Sequence, residues 1–577
     1  MKRRSLSLGL VWVIAIFALE ASAAPNSDNK QPNAAAPTKK PWTVFGHEPS
    51  LSGTNAFNYT YHFDNADGED GNDKYHQLIN TLDIDLAIGD ARFGARFDLH
   101  LFIDTPLDRC PTANPPTYCF RDKDRRYLDS YMIYRDGVRL PERLYFVLAK
   151  PAYDLTLGDF YVSFGKGIAL NVTKIDALGQ DTTIRGGKFS LHHGDVGFTF
   201  VAGEFNPLDT DASTGRPALW GTEPVIGGRL EYRGLGGIIL AAHGVWIHAE
   251  NPPPTGGISQ VAAEQHTVFG GGIEAPSLLD DRLSFAFEID FQRTPMTDGS
   301  VFRGPGVSGT ERQDTFDGPT GLASYLTSTL AIGNSNLVGE FKYYNDFQLA
   351  AREVVDQPYI LLYNMPPTLE RIEAEVSDNV STVGGRLRYE YNWGARGPVE
   401  LVTFASYGYF QTRFALDGRV HDPYLGAELT WQDGDGQLDF RAGARYERDA
   451  HSDELAKLDI HFSGNIEQRI LSTHSVKLTW LYQSRFKRLL TLERHDELDT
   501  ALTYKWSPYL SAAMTIEYSN DSQSKLYLAG ALRYFFNASS YVGVRVGENR
   551  PGLKCYNGLC QFLPAFAGAE LTAVARF

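Results

Sequence analysis

Residues 386–393 read Arg-Leu-Arg-Tyr-Glu-Tyr-Asn-Trp. In a strand, successive side chains point to opposite faces. Arg386, Arg388, Glu390 and Asn392 therefore share one face, and Leu387, Tyr389, Tyr391 and Trp393 share the other. A helical period would mix the two sets. Residues 437–447, QLDFRAGARYE, repeat the pattern: Gln437, Asp439, Arg441, Arg445 and Glu447 oppose Leu438, Phe440, Ala442, Ala444 and Tyr446. A soluble sandwich also alternates, but it covers its apolar faces with a second layer. Here bulky aromatics stand beside charge in strand after strand, and no helical segment is available to cover them.

The stretch 81–104 alternates on two consecutive strands. Leu82, Ile84, Leu86 and Ile88 lead into a Gly89-Asp90 turn, and Phe93, Ala95, Phe97, Leu99 and Leu101 continue beyond it. Asp83, Asp85, Arg96, Asp98 and His100 fall between them. Alternating runs from Pro49 to Phe577 amount to roughly 24 strands, as expected for an all-β transmembrane antiparallel barrel. Residues 127–155 alternate least, which leaves 22 strands open. Short turns are expected at Gly89-Asp90, His193-Gly194, Gly234-Leu235, Gly333-Asn334, Gly434-Asp435 and Pro508-Tyr509. Long connections are expected at 64–77, 107–126, 207–222, 249–265, 295–320, 349–380 and 549–563. That division into short and long loops is the one outer-membrane barrels show. Trp393, Trp431, Trp480 and Trp506 are expected near strand ends, where aromatic girdles form.

Composition agrees. The 577 residues include 55 Gly, 34 Phe and 30 Tyr, with a formal charge of −16. That charge argues against nucleic acid as a partner, since its binders carry basic patches. No segment after the N-terminus approaches the roughly 18 to 20 apolar residues of a membrane helix. Lys2, Arg3 and Arg4, the apolar run from Leu6 to Leu19, and Ala21-Ser22-Ala23 read as a cleavable signal peptide over 1–23. Residues 24–48 then read as a Pro/Ala/Asn-rich linker, leaving 49–577 for the barrel in a Gram-negative outer membrane. The linker is too short for the plug domain of an energised siderophore receptor.

Export places the four cysteines in an oxidising space. Their spacing suggests two local disulfides, Cys110–Cys119 and Cys555–Cys560, both in long loops. A zinc site is the rival, but neither pair has C-x-x-C spacing and no histidine lies beside either. The final residues, ELTAVARF, end on Phe577, similar to the terminal signal that barrel-assembly machinery reads. Lipid and that machinery are the expected partners, together with a solute the sequence does not name.

Residues 158–170, GDFYVSFGKGIAL, look at first like a phosphate loop. The spacing fails: six residues separate Gly158 from Gly165, Gly167 follows Lys166, and no βαβ helix comes after. Glycine's other use is to let a chain bend or pack closely in a confined space. Phe164 to Thr182 is therefore expected to fold into the lumen as a constriction. Phe164, Gly165, Lys166, Gly167, Lys174, Asp176, Asp181 and Arg185 are its candidate residues, with the charges paired to the wall. An ordinary external loop is the alternative. The same stretch, with DALGQDTTIRGGKF (176–189) and YNMPPTLER (363–371), resembles an uncharacterised family of large Gram-negative outer-membrane β-barrels. The resemblance implies the fold and carries no activity or catalytic residues with it.

No G-x-S-x-G elbow or H-E-x-x-H helix occurs, so no catalytic residue, metal ligand or cofactor is expected. His192-His193 reads as part of a solvated turn. The acidic run 64–73 offers oxygen ligands, but Asp70 stands where a calcium loop of the EF-hand kind needs glycine, so a solvated loop is favoured. The apolar run Pro358 to Tyr363 marks either an interaction patch or a segment folded inward. Asp83, Asp85, Arg96, Asp98, Arg386, Arg388, Glu390, Asp439, Arg441 and Arg445 would face the lumen. That row implies a pore or passive transporter for a polar or amphipathic solute. A non-conducting envelope-organising or surface-interaction barrel is the second reading, and a barrel-borne hydrolase the third.

Overall fold

The computed structural model describes residues 43–577 except 45, 65–73, 104–133, 136–137, 140, 176–179, 207–222, 249–264, 294–319, 346, 348–350, 354–359, 370–380, 397–398, 413–417, 451, 489–491, 521–524, 551, 557–558 and 564–565. The expected signal peptide over 1–23, most of the expected linker over 24–48, Cys110, Cys119 and Asp176 therefore lie outside the described residues.

Among the described residues, twenty-four antiparallel strands close into one barrel. Chain neighbours are sheet neighbours: Pro49–His62 pairs with His76–Ile88, which pairs with Ala91–Ile103, and so on around the wall. Closure comes where Phe566–Arg576 meets Pro49–His62, with Thr54 opposite Arg576. Phe577 extends that seam; its N–H donates to the Gly53 carbonyl at 3.1 Å, and the Gly53 N–H donates to the Phe577 carbonyl at 2.9 Å. A closed wall leaves no strand edge unpaired. The weakly alternating region does supply a hairpin, Arg143–Lys150 with Tyr153–Phe160, which makes the count 24 rather than 22.

Period-2 patterning sorts the faces. Leu387 is 54% exposed and Tyr389 47% exposed on the outside, while Arg388 and Glu390 between them form an ion pair inside. Gly89-Asp90, Gly333-Asn334, Gln432–Gly434 and Pro508-Tyr509 form short turns. Two turns differ from expectation. The strand Ile184–His193 runs through both histidines and turns at Gly194-Asp195, and Pro224–Leu235 turns at Gly236-Gly237. In each case glycine with positive φ fixes the corner. Trp393, Trp431 and Trp506 stand beside short turns. Trp480 does not: it lies mid-strand, covering Gly464, where an added Cβ would come within 2.6 Å of the indole.

The inner face is not uniform. Across the strands between Ile184 and Asn345, lumen-facing positions carry Val201, Val225, Val245, Ile247 and Val268, all buried. That apolar patch is where the chain folds back into its own barrel.

Candidate functional site

The wall strand Tyr153–Phe160 is followed by Ile184–His193, and of the residues between them the described ones, 161–175 and 180–183, include a stretch packed on the inner face of the barrel. Val162–Phe164 pairs with Leu170–Val172 as a short ribbon, and the tip between them is a turn closed by Gly167 N–H donating to Phe164 O at 3.1 Å. Gly165 (φ 61°) and Gly167 (φ 85°) supply the left-handed backbone that this tip requires. Phe164, Ile168 and Leu170 are essentially fully buried in one cluster with Val201, Val225 and Val245. Burying side chains of this kind is worth about 1.5–3 kcal/mol each, so the apolar inner wall holds the ribbon in place.

A second inward stretch locks onto the first. Asn171 N–H donates to Tyr363 O at 2.8 Å, Met365 N–H to Gly167 O at 2.9 Å, and Asn364 Nδ2 to Ile168 O at 2.9 Å. The Tyr363 ring stacks on Phe205 with centroids 3.6 Å apart, and its hydroxyl donates to the Glu223 carboxylate. Tyr363 thus belongs to the interior. Ile360–Leu362 pairs with Ala351–Glu353, and Pro358 and Tyr359 lie outside the described residues.

Charge surrounds the ribbon's exit. Asp181 accepts from Arg143 at 2.6 Å and from Arg96 at 3.3 Å. Glu142 lies 3.4 Å from Arg96 and 3.2 Å from Arg143, and Asp98 lies 3.1 Å from Arg96. Arg185 sits opposite Asp159 in register and pairs with it at 3.0 Å; Asp159 also accepts from Leu144 N–H at 2.8 Å. At the tip, Lys166 N–H donates to Glu288 at 2.7 Å, and Lys166 Nζ lies 3.5 Å from Glu274. Lys174 sits opposite Asp181 across a two-residue ladder.

The row of lumen-facing charges divides by height. Near the short turns the side chains reach solvent: Arg388 is 40% exposed, Glu390 31% and Arg441 37%, with Arg441 paired to Asp439 at 2.9 Å. Asp85 is held by Arg92 at 2.9 Å at the same end. Toward the long connections the groups are enclosed. Asp98 and Arg445 are buried, and the Arg445 guanidinium lies over the Phe410 ring, 5.9 Å from its centroid. Arg386 bridges the two zones, facing Glu340 directly in register and donating at 2.6 Å. Asp83 faces Arg96 across the first hairpin. Among the described residues, the lumen-facing charges thus form a solvent-reached vestibule near the short turns and are enclosed toward the long connections.

Sequence reasoning missed Glu142, Arg143, Asp159 and Glu288, whereas Tyr363 takes the inward course that was one of the two readings of its apolar run. One signal was available: Gly270-Gly271-Gly272, three glycines inside the strand Gln265–Leu278, marks a place where side chains from flanking strands converge. Cys555 and Cys560 lie directly opposite one another in the ribbon Gly552–Tyr556 with Leu559–Leu563. In the acidic loop, Asp64 pairs with Lys74 at 2.7 Å, and 65–73 lie outside the described residues.

No protein-family model and no curated protein sequence matches this chain. Among solved structures it is similar to the siderophore receptor PirA from Pseudomonas aeruginosa, at 9% identity and a TM-score of 0.44, covering 94% of this chain and 81% of that one. It is also similar to OccK5 (OpdH) from Pseudomonas aeruginosa, at 13% identity and 0.36, covering 70% and 94%. A BenF-like porin from Pseudomonas fluorescens Pf-5 matches at 10% identity and 0.34, covering 72% and 96%. Likeness at this level carries no assignment of solute or of residue roles.

Proposed function

We propose that this chain is an outer-membrane barrel that passes a polar or amphipathic solute passively, with the inward ribbon 161–183 as its constriction. The membrane reading rests on the outer face, where Leu387, Leu425, Met514 and Leu528 are each 50% or more exposed around a closed wall. Such a surface is costly in water, at roughly 25 cal/mol per Å² of apolar area, and is at home in lipid. In this reading residues 1–23 direct export, 24–48 form a linker, and the protein is not an enzyme.

The observation that carries the pore reading is the solvent-reached charge of the vestibule: Arg388, Glu390, Asp439 and Arg441. Paired opposite charges on a lumen wall set a local field that selects among ions and polar solutes. A second reading is a non-conducting, envelope-organising barrel. It is favoured by the burial of Arg445, Asp459 and Lys342, lumen-side charged residues enclosed within the protein.

Planar-bilayer recording on the purified chain separates the two. The pore reading expects steady conductance that rises when 164–182 are replaced by a short Gly/Ser linker. Silence from both the native chain and a correctly folded replacement removes the pore reading and leaves the second.

A further inference from the structure

Beneath the ribbon tip, three ionisable side chains meet inside the barrel. His243 lies on Ile238–His248, and Glu288 and Asp290 lie on Leu283–Arg293, with Gln265–Leu278 running between those strands. In register, His243 faces Gly270, and Gly270 faces Asp290. A Cβ at Gly270 would lie 2.1 Å from Asp290 Oδ1, so glycine there is what lets the outer two strands reach each other across the middle one. Gly272 faces Glu288 in the same register. The His243 Nε2 to Asp290 Oδ1 distance is 2.5 Å, and neither side chain retains exposed surface.

The hydrogen-bonding capacity of the three is not used up. Among the described residues, His243 Nδ1, Glu288 Oε1 and Asp290 Oδ2 are buried and have no hydrogen-bond partner. One donor atom from each residue can be chosen so that all lie within 4.8 Å of one another. Nearby cations are engaged elsewhere: Lys166 Nζ is 3.5 Å from Glu274, and Arg229 is 2.8 Å from Glu231. Two buried carboxylates next to an imidazole cannot both stay as uncompensated charges, which would cost several kcal/mol, and either a bound cation or a proton held within the cluster relieves that cost.

We propose that His243, Glu288 and Asp290 bind a divalent transition cation, with Zn²⁺ the best match. One imidazole nitrogen and two carboxylate oxygens form a mixed donor set suited to zinc at a three-ligand site with one position open. Ca²⁺ and Mg²⁺ ask for six or more oxygens, which this pocket does not offer. The cation would tie two non-adjacent wall strands together. It would also secure the ribbon, because Glu288 already accepts from Lys166 N–H. The Phe164 ring of the ribbon lies 6.5 Å from the His243 ring.

The test uses the full purified chain, stripped with chelator and titrated with Zn²⁺, Mn²⁺, Mg²⁺ and Ca²⁺. About one equivalent of Zn²⁺ should bind, in preference to Mg²⁺ and Ca²⁺. His243→Ala, Glu288→Gln and Asp290→Asn should each weaken binding at least about tenfold, while Asp439→Asn in the vestibule leaves it unchanged. Folding of each variant is checked by heat-modifiable migration. If the variants do not fold, Cu²⁺ paramagnetic resonance on the native chain decides: a single coordinated imidazole nitrogen is expected, and none or several overturns the site. A folded native chain that takes up no transition cation overturns the proposal, leaving a proton shared between the two carboxylates. Undiminished binding by all three folded variants overturns it too.

Discussion

The main-chain N–H of Lys166 donates to the Glu288 carboxylate at 2.7 Å, joining the tip of the inward ribbon to the barrel wall across 122 residues of sequence. This bond exists because Gly165, at φ 61°, turns the backbone so that the amide points at the wall. A Cβ at Gly165 would lie 2.1 Å from a Glu288 oxygen.

Gly165→Val should therefore cost more than backbone strain alone, which is about 1–2 kcal/mol for a left-handed residue with a side chain. Gly236→Val is the matched control, because Gly236 has φ 60° and open space around its missing Cβ. Heat-modifiable migration should show a clearly lower unfolding temperature for Gly165→Val than for Gly236→Val. Equal temperatures would mean that the ribbon tip does not bear on the wall.

Phe164→Ala empties the centre of the apolar cluster formed with Val225 and Val245. A large-to-small change of this kind costs about 3–5 kcal/mol. The loss should fall on the ribbon first, seen as protease cleavage within 161–183 while the wall stays resistant. Cleavage unchanged from the native chain would count against the ribbon's apolar anchorage.

Arg388→Glu combined with Arg441→Glu reverses two solvent-reached charges without touching a buried pair. Reversal-potential measurements under a salt gradient should shift toward cation preference. Arg445→Glu should behave differently, because Arg445 is 1% exposed. It places an uncompensated charge in a packed interior and should reduce folded yield rather than tune selectivity.

The two cysteine pairs should each be oxidised. Cys555 and Cys560 already face one another across their ribbon, so their backbones are in register for a bridge. Mass spectrometry of non-reduced digests should recover the links Cys555–Cys560 and Cys110–Cys119. Recovery of four alkylated thiols from the purified chain would refute both.

What the sequence by itself determined was the wall. Alternation in RLRYEYNW and QLDFRAGARYE follows from strand geometry, which sends neighbouring side chains to opposite faces whatever the rest of the chain does. Most strands, the faces of the residues in those runs and most turns could be read that way, but the hairpin Arg143–Lys150 with Tyr153–Phe160, which alternates weakly, could not. The mid-strand position of Trp480 could not, because alternation gives a residue's face and not its height in the wall. The interior was decided only by tertiary structure. Val201, Val225 and Val245 point inward yet are apolar, since the chain's own ribbon, and not water, fills that side. His243 and Asp290 are 47 residues apart and lie on different strands. They meet only because a glycine on the strand between them leaves the room, and no local pattern around either residue records that contact.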